Sequence, residues 1–593
     1  MRMGHAARAL GMAAAVALAL GGCTANNNAK TPTLAAAPAV SDGSATVAEV
    51  NAFSTFNPDT AHGNTDINAK ISYATHSGFF YIDNKLNVVR NEKFGKIEKT
   101  SDDPLTVKYT VNEGVKWSDG TPVTAADLLV QWAAFSGYYD DADAAANTGT
   151  SYFSYAGDRT GLALTGFPEL GADNRSLTLK YSKPFADWES ALGGPGVDVP
   201  AHVLAGKAGL NDVPALVELL KDTPRGDVRA PKPANARLRA LADFWNNGFD
   251  SKTLPADPML YLSNGPYIVK SLAPDQSLTL VRNKDYNWGP DPKLDQINVR
   301  YIGSATAQLD ALKNHDADIA DLQAATDTVD QLTALPSQGV TADIGNQLAY
   351  DHLDLSFAGP FADKNVREAF LKAVPRKDIA DKIVKKLDSN AAPLDSQVFF
   401  PDQAAYADAV RDNGSSDYRD VDLEAAKRLL NGATPEVRIL YNRDNPNRAA
   451  AFSLIRESAS KAGFRIVDGG LGASDWGRAL GSGTYDAAIF GWASAGVGVT
   501  GVPQVFRSGS DSNFNGFSDP DADKLMDQLV GTTERSKQDD LMQQIDKKIW
   551  GSAYGLPLYR TVGVIAYSNR IAGVKFMPNE TGAWWNFWEW EQQ

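Results

Sequence analysis

A chain of 593 residues with one cysteine cannot staple itself together. Cys23 has no intrachain disulfide partner, so stability has to come from packing. The length exceeds what one hydrophobic core organises, and two or three lobes are expected. Composition supports packing on that scale. Hydrophobic residues make up 43% of the chain and charged residues 22%, a globular balance rather than a disordered or fibrous one.

The position of that cysteine adds a second constraint. Arg2 and Arg8 form a basic start, and Ala9 to Leu20 an apolar run of about a dozen residues, the length of a signal peptide and too short to span a bilayer. Small residues then precede the thiol in Leu20-Gly21-Gly22-Cys23, which resembles a bacterial lipobox. On that resemblance residues 1–22 are removed and Cys23 becomes a lipidated first residue. Residues 23–45, rich in Ala, Asn, Thr and Pro, read as a flexible tether. No later apolar run is long enough to cross a membrane.

The formal charge is −15, and loss of Arg2 and Arg8 makes the processed chain more acidic still. That balance disfavours nucleic-acid binding. Acidity serves solubility, and a preference for cationic ligands is the alternative it leaves open.

Residues 105–181 read as mixed structure. Leu105 to Val111 alternates apolar and polar residues, as a half-buried strand does, and Leu177 to Tyr181 repeats the pattern. Trp117-Ser118-Asp119-Gly120-Thr121-Pro122 is a turn. Thr124 and Asp127 form a capping box ahead of a helix through Phe135, and residues 140–149 read as a surface loop. From about residue 266 helix and strand signals alternate, which points to α/β layering. Ser304, Asp363 and Asp422 are placed to cap helices. Strands are expected at 437–441, 464–467, 485–492, 555–559 and 562–567, and helices at 448–462 and 533–550.

Catalytic and metal motifs do not hold up. Gly496-Val497-Gly498-Val499-Thr500-Gly501 has the G-x-G-x-x-G form, but Pro503 and the Arg507–Ser512 stretch do not read as the helix a pyrophosphate needs. Asp519, Asp521 and Asp523 alternate like a calcium loop, yet Lys524 and Val530 stand where Gly and Glu belong. The six histidines lack metal spacing, and Ser494 is not in a nucleophile elbow. Neither an enzyme nor a cofactor or metal is expected.

The run Val107 to Trp132, with Gly114-Val115-Lys116-Trp117-Ser118-Asp119-Gly120-Thr121-Pro122 leading to Thr124-Ala125-Ala126-Asp127, resembles the signature of the extracellular solute-binding protein family 5, which includes dipeptide- and oligopeptide-binding proteins. Further blocks follow in that family's order: Gly265-Pro266-Tyr267, Leu280 to Trp288, Pro292 to Ile297, Ala311 to Ile319, Phe361 to Ala369 and Leu556-Pro557-Leu558-Tyr559. The resemblance implies an α/β, two-lobed periplasmic-binding-protein fold of the large class, with an extra subdomain. Residues 46–267 would form the N-terminal lobe and 268–552 the second lobe, with 553–593 returning to the first. The chain would cross between lobes near Gly265-Pro266-Tyr267 and near Ala553 to Tyr559.

The resemblance also implies a function: an extracytoplasmic lipoprotein on the outer face of the cytoplasmic membrane. It would be a monomer that captures a peptide or related solute between its lobes and hands it to the permease subunits of an ABC importer. Gly491 and Trp492 match the family's "G-W" strand, placing Trp492 on the cleft wall. Thr55, Phe56 and Asn57 match its first cleft loop, and Asn513 and Phe514 a polar-aromatic loop beyond the Trp. Peptide-binding members carry an Asp three residues after that Trp, paired with the peptide ammonium. Here the residue is Ala495. Another acid substitutes, or the ligand lacks a free amino terminus, or the protein is a scaffolding or regulatory lipoprotein of the cell envelope on the same fold.

Overall fold

A computed structural model describes residues 43–143, 148–323, 328–494, 497–510 and 512–593. Cys23, the leader and Ala495 lie outside the described residues. The expected tether ends earlier than residue 45, because Ser44 and Ala45 are already fully buried in a strand.

One ten-stranded mixed sheet organises the chain. Its strands, numbered along the sequence, are β1 (Ser44–Glu49), β2 (Tyr267–Ala273), β3 (Ser277–Arg282), β4 (Gln296–Tyr301), β5 (Ile319–Gln323), β6 (Val340–Leu355), β7 (Glu436–Asn442), β8 (Arg465–Leu471), β9 (Ala487–Ala493) and β10 (Gly555–Ser568). Their spatial order is β8-β7-β9-β6-β10-β5-β1-β4-β3-β2.

The strands β6 and β10 hold the two ends of this sheet together. They are 16 and 14 residues long, roughly 50 Å of extended chain each at about 3.3 Å per residue. Val340–Asn346 pairs with Val562–Ser568 on the β5 side, whereas Tyr350–Asp354 pairs with Gly555–Arg560 on the β9 side, and the register shifts between Asn346 and Tyr350. The hydrophobic clusters divide along the same line. One gathers Val107, Trp117, Trp132, Leu280, Val299, Trp584 and Trp590; another gathers Leu353, Phe370, Ile439, Ile455 and Leu556.

This corrects the expected crossing at Gly265-Pro266-Tyr267. Tyr267, Val269 and Leu280 belong to the first cluster, and Gly265 N–H bonds the Thr75 carbonyl at 2.8 Å. A Cβ on Gly265 would stand 2.5 Å from the His76 nitrogen, so the glycine permits close packing within the first core. The two long strands make the passage between cores.

Local signals translate directly where capping and period are strong. Leu105–Val111 is a strand whose apolar residues are buried and polar ones half-buried. Thr124 N–H bonds the Asp127 carboxylate at 2.7 Å while the Thr124 hydroxyl caps Ala126, the reciprocal capping box. Ser304, Asp363 and Asp422 cap their helices. Asp519 does the same for Pro520–Gly531, while Asp521 pairs with Lys524 and Lys548 and Asp523 accepts from Ser508 N. A short helix, Gly501–Phe506, does follow the glycine-rich segment. Its six residues are fewer than the sequence pattern of a dinucleotide site requires.

One buried acid makes the second core pH-dependent. Asp546, fully buried, accepts hydrogen bonds from Gln397 N and Asn413 Nδ2, both 2.8 Å. Burial pushes its carboxyl up to about 6. A raised carboxyl favours the fold when protonated, so its contribution is greatest below the unfolded pKa and is lost as pH rises to about 6. Between pH 3.5 and 7 the wild type should lose about 3 kcal/mol of stability relative to Asp546→Asn, at 1.36 kcal/mol per pKa unit. Urea midpoints of the two proteins at both pH values test this, and parallel curves would refute it.

Candidate ligand cleft

Strand β9 carries the matched aromatic residue to the edge of the second core. Ala487 to Phe490 are buried, and exposure rises at Gly491 and Trp492. The Trp492 indole stacks on Phe514, with ring centres 5.9 Å apart and planes 4° off parallel, and lies nearly parallel to His352 at 6.1 Å. His352 is pinned from below by Asp354 at 2.7 Å, whose other oxygen accepts from the Tyr554 hydroxyl at 3.2 Å. The Trp492 Nε1–H has no partner among the described residues. It is a donor held in place by stacked rings.

On the Trp492 wall lies a cavity of 550 Å³, lined by Leu86, Tyr350, Phe399, Phe400, Val499 and Phe506 among others. A second cavity, of 440 Å³, lies between Pro58-Asp59, Phe135, Tyr155, Gly193–Gly196 and the segment at Val497 and Thr500. Val497 and Thr500 line both, so these two cavities flank one segment. Both volumes are in the range that small-molecule sites occupy. A third space of 210 Å³ shares Tyr350 and Trp492 and is lined by Arg448, Asp351 and Tyr559. These last three satisfy one another: Arg448 Nη2 donates to Asp351 at 3.0 Å and the Tyr559 hydroxyl donates to it at 2.9 Å. Gly491 is the residue that fits there, since a Cβ would stand 2.7 Å from Asp351 Oδ1.

The 440 Å³ cavity is strongly acidic. Asp59, Asp158, Asp187 and Asp198 line it, and among the described residues no Lys, Arg or His does. Burial, reinforced by the neighbouring Asp198, pushes the Asp59 carboxyl well above the usual carboxylate range. Burial also raises Asp158. Two carboxyls that close in a low-dielectric site resist carrying two charges, and a cation between them restores both.

Ser72 and Asp198 on that wall meet His76 behind it, but not as a hydrolytic relay. The Ser72 hydroxyl donates to Asp198 and lies 3.1 Å from His76 Nδ1, and that same nitrogen is 3.6 Å from Asp198. A relay needs the acid on the imidazole nitrogen remote from the serine, whereas here Ser72 and Asp198 both approach Nδ1.

Of the residues expected at the site, Trp492 and Gly491 line cavities, and Phe514 supports Trp492 from behind. Asn513 builds its own loop, with Nδ2 donating to the Arg507 and Phe517 carbonyls at 2.9 and 2.8 Å and Oδ1 accepting from Gly516 and Phe517 N–H groups. Thr55, Phe56 and Asn57 are packed inside the first core. Asn57 Nδ2 donates to the Trp245 carbonyl at 2.8 Å, and Phe56 meets Phe53 edge-on at 4.9 Å. The cavity begins one residue later, at Pro58 and Asp59. The segment is tied into that core by an isolated bridge between Thr55 and Asp250 and by Phe56 N–H donating to the Phe249 carbonyl at 3.0 Å. The acids Asp158, Asp187 and Asp198 carry no motif that marks them in the sequence.

Comparison with known proteins matches this architecture. Residues 92–514 match the family described as bacterial extracellular solute-binding proteins, family 5 Middle. An oligopeptide-binding protein OppA of Mycobacterium tuberculosis is 26% identical over 522 residues, covering 86% of this chain and 78% of that protein. An uncharacterized lipoprotein of the same species is 26% identical over 555 residues, covering 90% and 91%. Among solved structures, the periplasmic EDTA-binding protein EppA superposes with a TM-score of 0.78 at 23% identity, covering 96% of this chain and 99% of that one. The oligopeptide-binding protein AppA from Bacillus subtilis, in complex with a nonapeptide, superposes at 0.68 with 19% identity, covering 93% and 99%. The fold is the two-lobed α/β fold of the periplasmic binding proteins, and the chain belongs to the bacterial extracellular solute-binding proteins of family 5.

Proposed function

We propose that this protein is the solute-capturing lipoprotein of an ABC importer, closing on a peptide or another solute that carries an amino group and passing it to the permease subunits. One lobe comprises residues 44–346 with 562–593, and the other residues 347–561. Anchoring through Cys23 would hold the protein on the outer face of the membrane. No helix among the described residues is long and apolar enough to cross it.

The observation that carries this reading is the pairing of an acidic cavity with an aromatic one across the 497–500 segment. The sequence has Ala495 in place of the family's usual acid, and Asp59 and Asp198 supply negative charge in the acidic cavity. An ammonium there gains two carboxylates, and apolar side chains gain the Trp492 wall. A polyanion such as EDTA would meet four carboxylates and is not the expected ligand. The arrangement of Ser72, His76 and Asp198 supports binding rather than hydrolysis. A scaffolding role is less well supported, because large hydrophobics exposed among the described residues are confined to Val50, Val228, Ile344 and Val421, none adjacent in sequence.

The test is native mass spectrometry of residues 24–593 as purified, followed by denaturation and identification of what is released. Co-purified peptides or amino-bearing solutes are the expected result. A single solute without an amino group would keep the importer role and overturn the ligand class. An empty protein that no peptide library stabilises against heat would favour the scaffolding role.

A further inference from the structure

The glycine-rich segment after Trp492, followed by too short a helix for a dinucleotide, holds an anion all the same. Gly498 has φ +80°, and the two amides that follow it converge on one point. Asp187 Oδ2 sits there, accepting from Val499 N at 2.8 Å and Thr500 N at 3.0 Å. Successive N–H groups after a left-handed glycine form a small anion-binding nest. Glycine is required on a second count, because a Cβ at position 498 would stand 2.5 Å from that carboxylate oxygen.

The two halves of this contact come from different cores. Phe185 and Leu192, on either side of Asp187, pack in the cluster that contains Trp117 and Trp132. Val499 and Phe506 pack with Phe517, Met526 and Ile545. The contact is reinforced nearby, where Ala186 N–H donates to the Val530 carbonyl at 2.7 Å. The lobes are therefore joined across the cleft by groups belonging entirely to the protein.

We propose that Asp187 is a built-in latch that closes the lobes without solute, its carboxylate standing in the Gly498–Thr500 nest as a ligand's would. A solute shifts a two-state equilibrium only by its differential affinity for the closed state. A latch supplies part of that preference in advance, so the unliganded protein is already largely closed. Charge-assisted hydrogen bonds to two amides are strong enough to shift the closed-to-open ratio by roughly ten- to a hundredfold.

Small-angle X-ray scattering of the protein, checked by native mass spectrometry to carry no solute, reads the latch independently of ligand identity, so its failure would leave the peptide reading untouched. Wild-type scattering should match the closed structure. Asp187→Ala and Gly498→Ala should each expand it, Asp187→Asn should fall between, and the double variant should be no more open than either single one. The two single variants break the contact from opposite sides, so if one fails to fold the other still decides. A wild-type protein already open when empty, or folded variants with scattering superimposable on the wild type, would overturn the proposal.

Discussion

Replacing Lys70 with methionine is expected to destabilise the protein by about 3–5 kcal/mol, the cost of leaving a buried charge without its partner. The Lys70 ammonium lies 2.9 Å from Glu49 Oε2 and 3.7 Å from Asp321, and the Lys70 and Glu49 side chains are 7% and 2% exposed. Burial alone would depress the Lys70 pKa, but the two carboxylates outweigh it and hold that pKa above its ordinary value. Burial raises Glu49 despite its lysine partner. Methionine keeps the length of the side chain and removes the charge, leaving Glu49 to be protonated or to stand unpaired. The loss should therefore grow as pH rises above the carboxylate range, since a raised carboxyl loses its contribution in that direction. Trp584 Nε1–H donates to the other Glu49 oxygen at 2.7 Å, so the network ties the C-terminal aromatic segment to β1. Glu49→Gln added to Lys70→Met should recover most of the loss, because it removes the orphaned charge. Urea or calorimetric unfolding at pH 7 and pH 5 reads the effect. An unshifted midpoint in the single variant, or no recovery in the double, would contradict it.

Trp492→Ala is expected to weaken solute binding by about 2–3 kcal/mol, roughly 30- to 150-fold, the scale of an aromatic anchor at the centre of a contact. The indole stacks on Phe514 and lies nearly parallel to His352, Trp492 lines the 550 Å³ cavity, and its ring N–H is buried without a partner among the described residues, free to meet a solute once the ring shifts. Trp492→Phe keeps the stacking and loses the donor, and should cost only about 1 kcal/mol. Isothermal titration with the solute identified by mass spectrometry separates the two variants. Unchanged affinity in Trp492→Ala would move the ligand out of this cavity and into the acidic one, where Asp198→Asn would then be the damaging substitution.

The same cleft separates what neighbouring residues encode from what they do not. The strand at Leu105, the capping box at Thr124 and the caps at Ser304, Asp363 and Asp422 are legible in the sequence because each depends on neighbours within a few residues, where chain geometry leaves few choices. The motif resemblance reaches further and locates Trp492, because the strand that carries it is marked by its own sequence. The expected first cleft loop stops one residue short of the cavity: Thr55 to Asn57 pack inward, tied to a segment near Asp250 far along the chain, and Pro58 and Asp59 line that cavity.

By itself the sequence determined an exported α/β chain of two lobes, held by packing rather than disulfides, with an aromatic strand end at Trp492. Only the tertiary structure decided where the chain changes lobes, which acids line the cavity, and what the glycine-rich segment holds. The reason is physical. Asp59, Asp158, Asp187 and Asp198 are four of 72 acidic residues, far apart along the chain, and no local rule distinguishes a carboxylate that ends in solvent from one that burial forces against another. The passage through β6 and β10 rests on long-range pairing, and the seat of Asp187 on amides more than 300 residues away. Such contacts exist only after the two cores have formed.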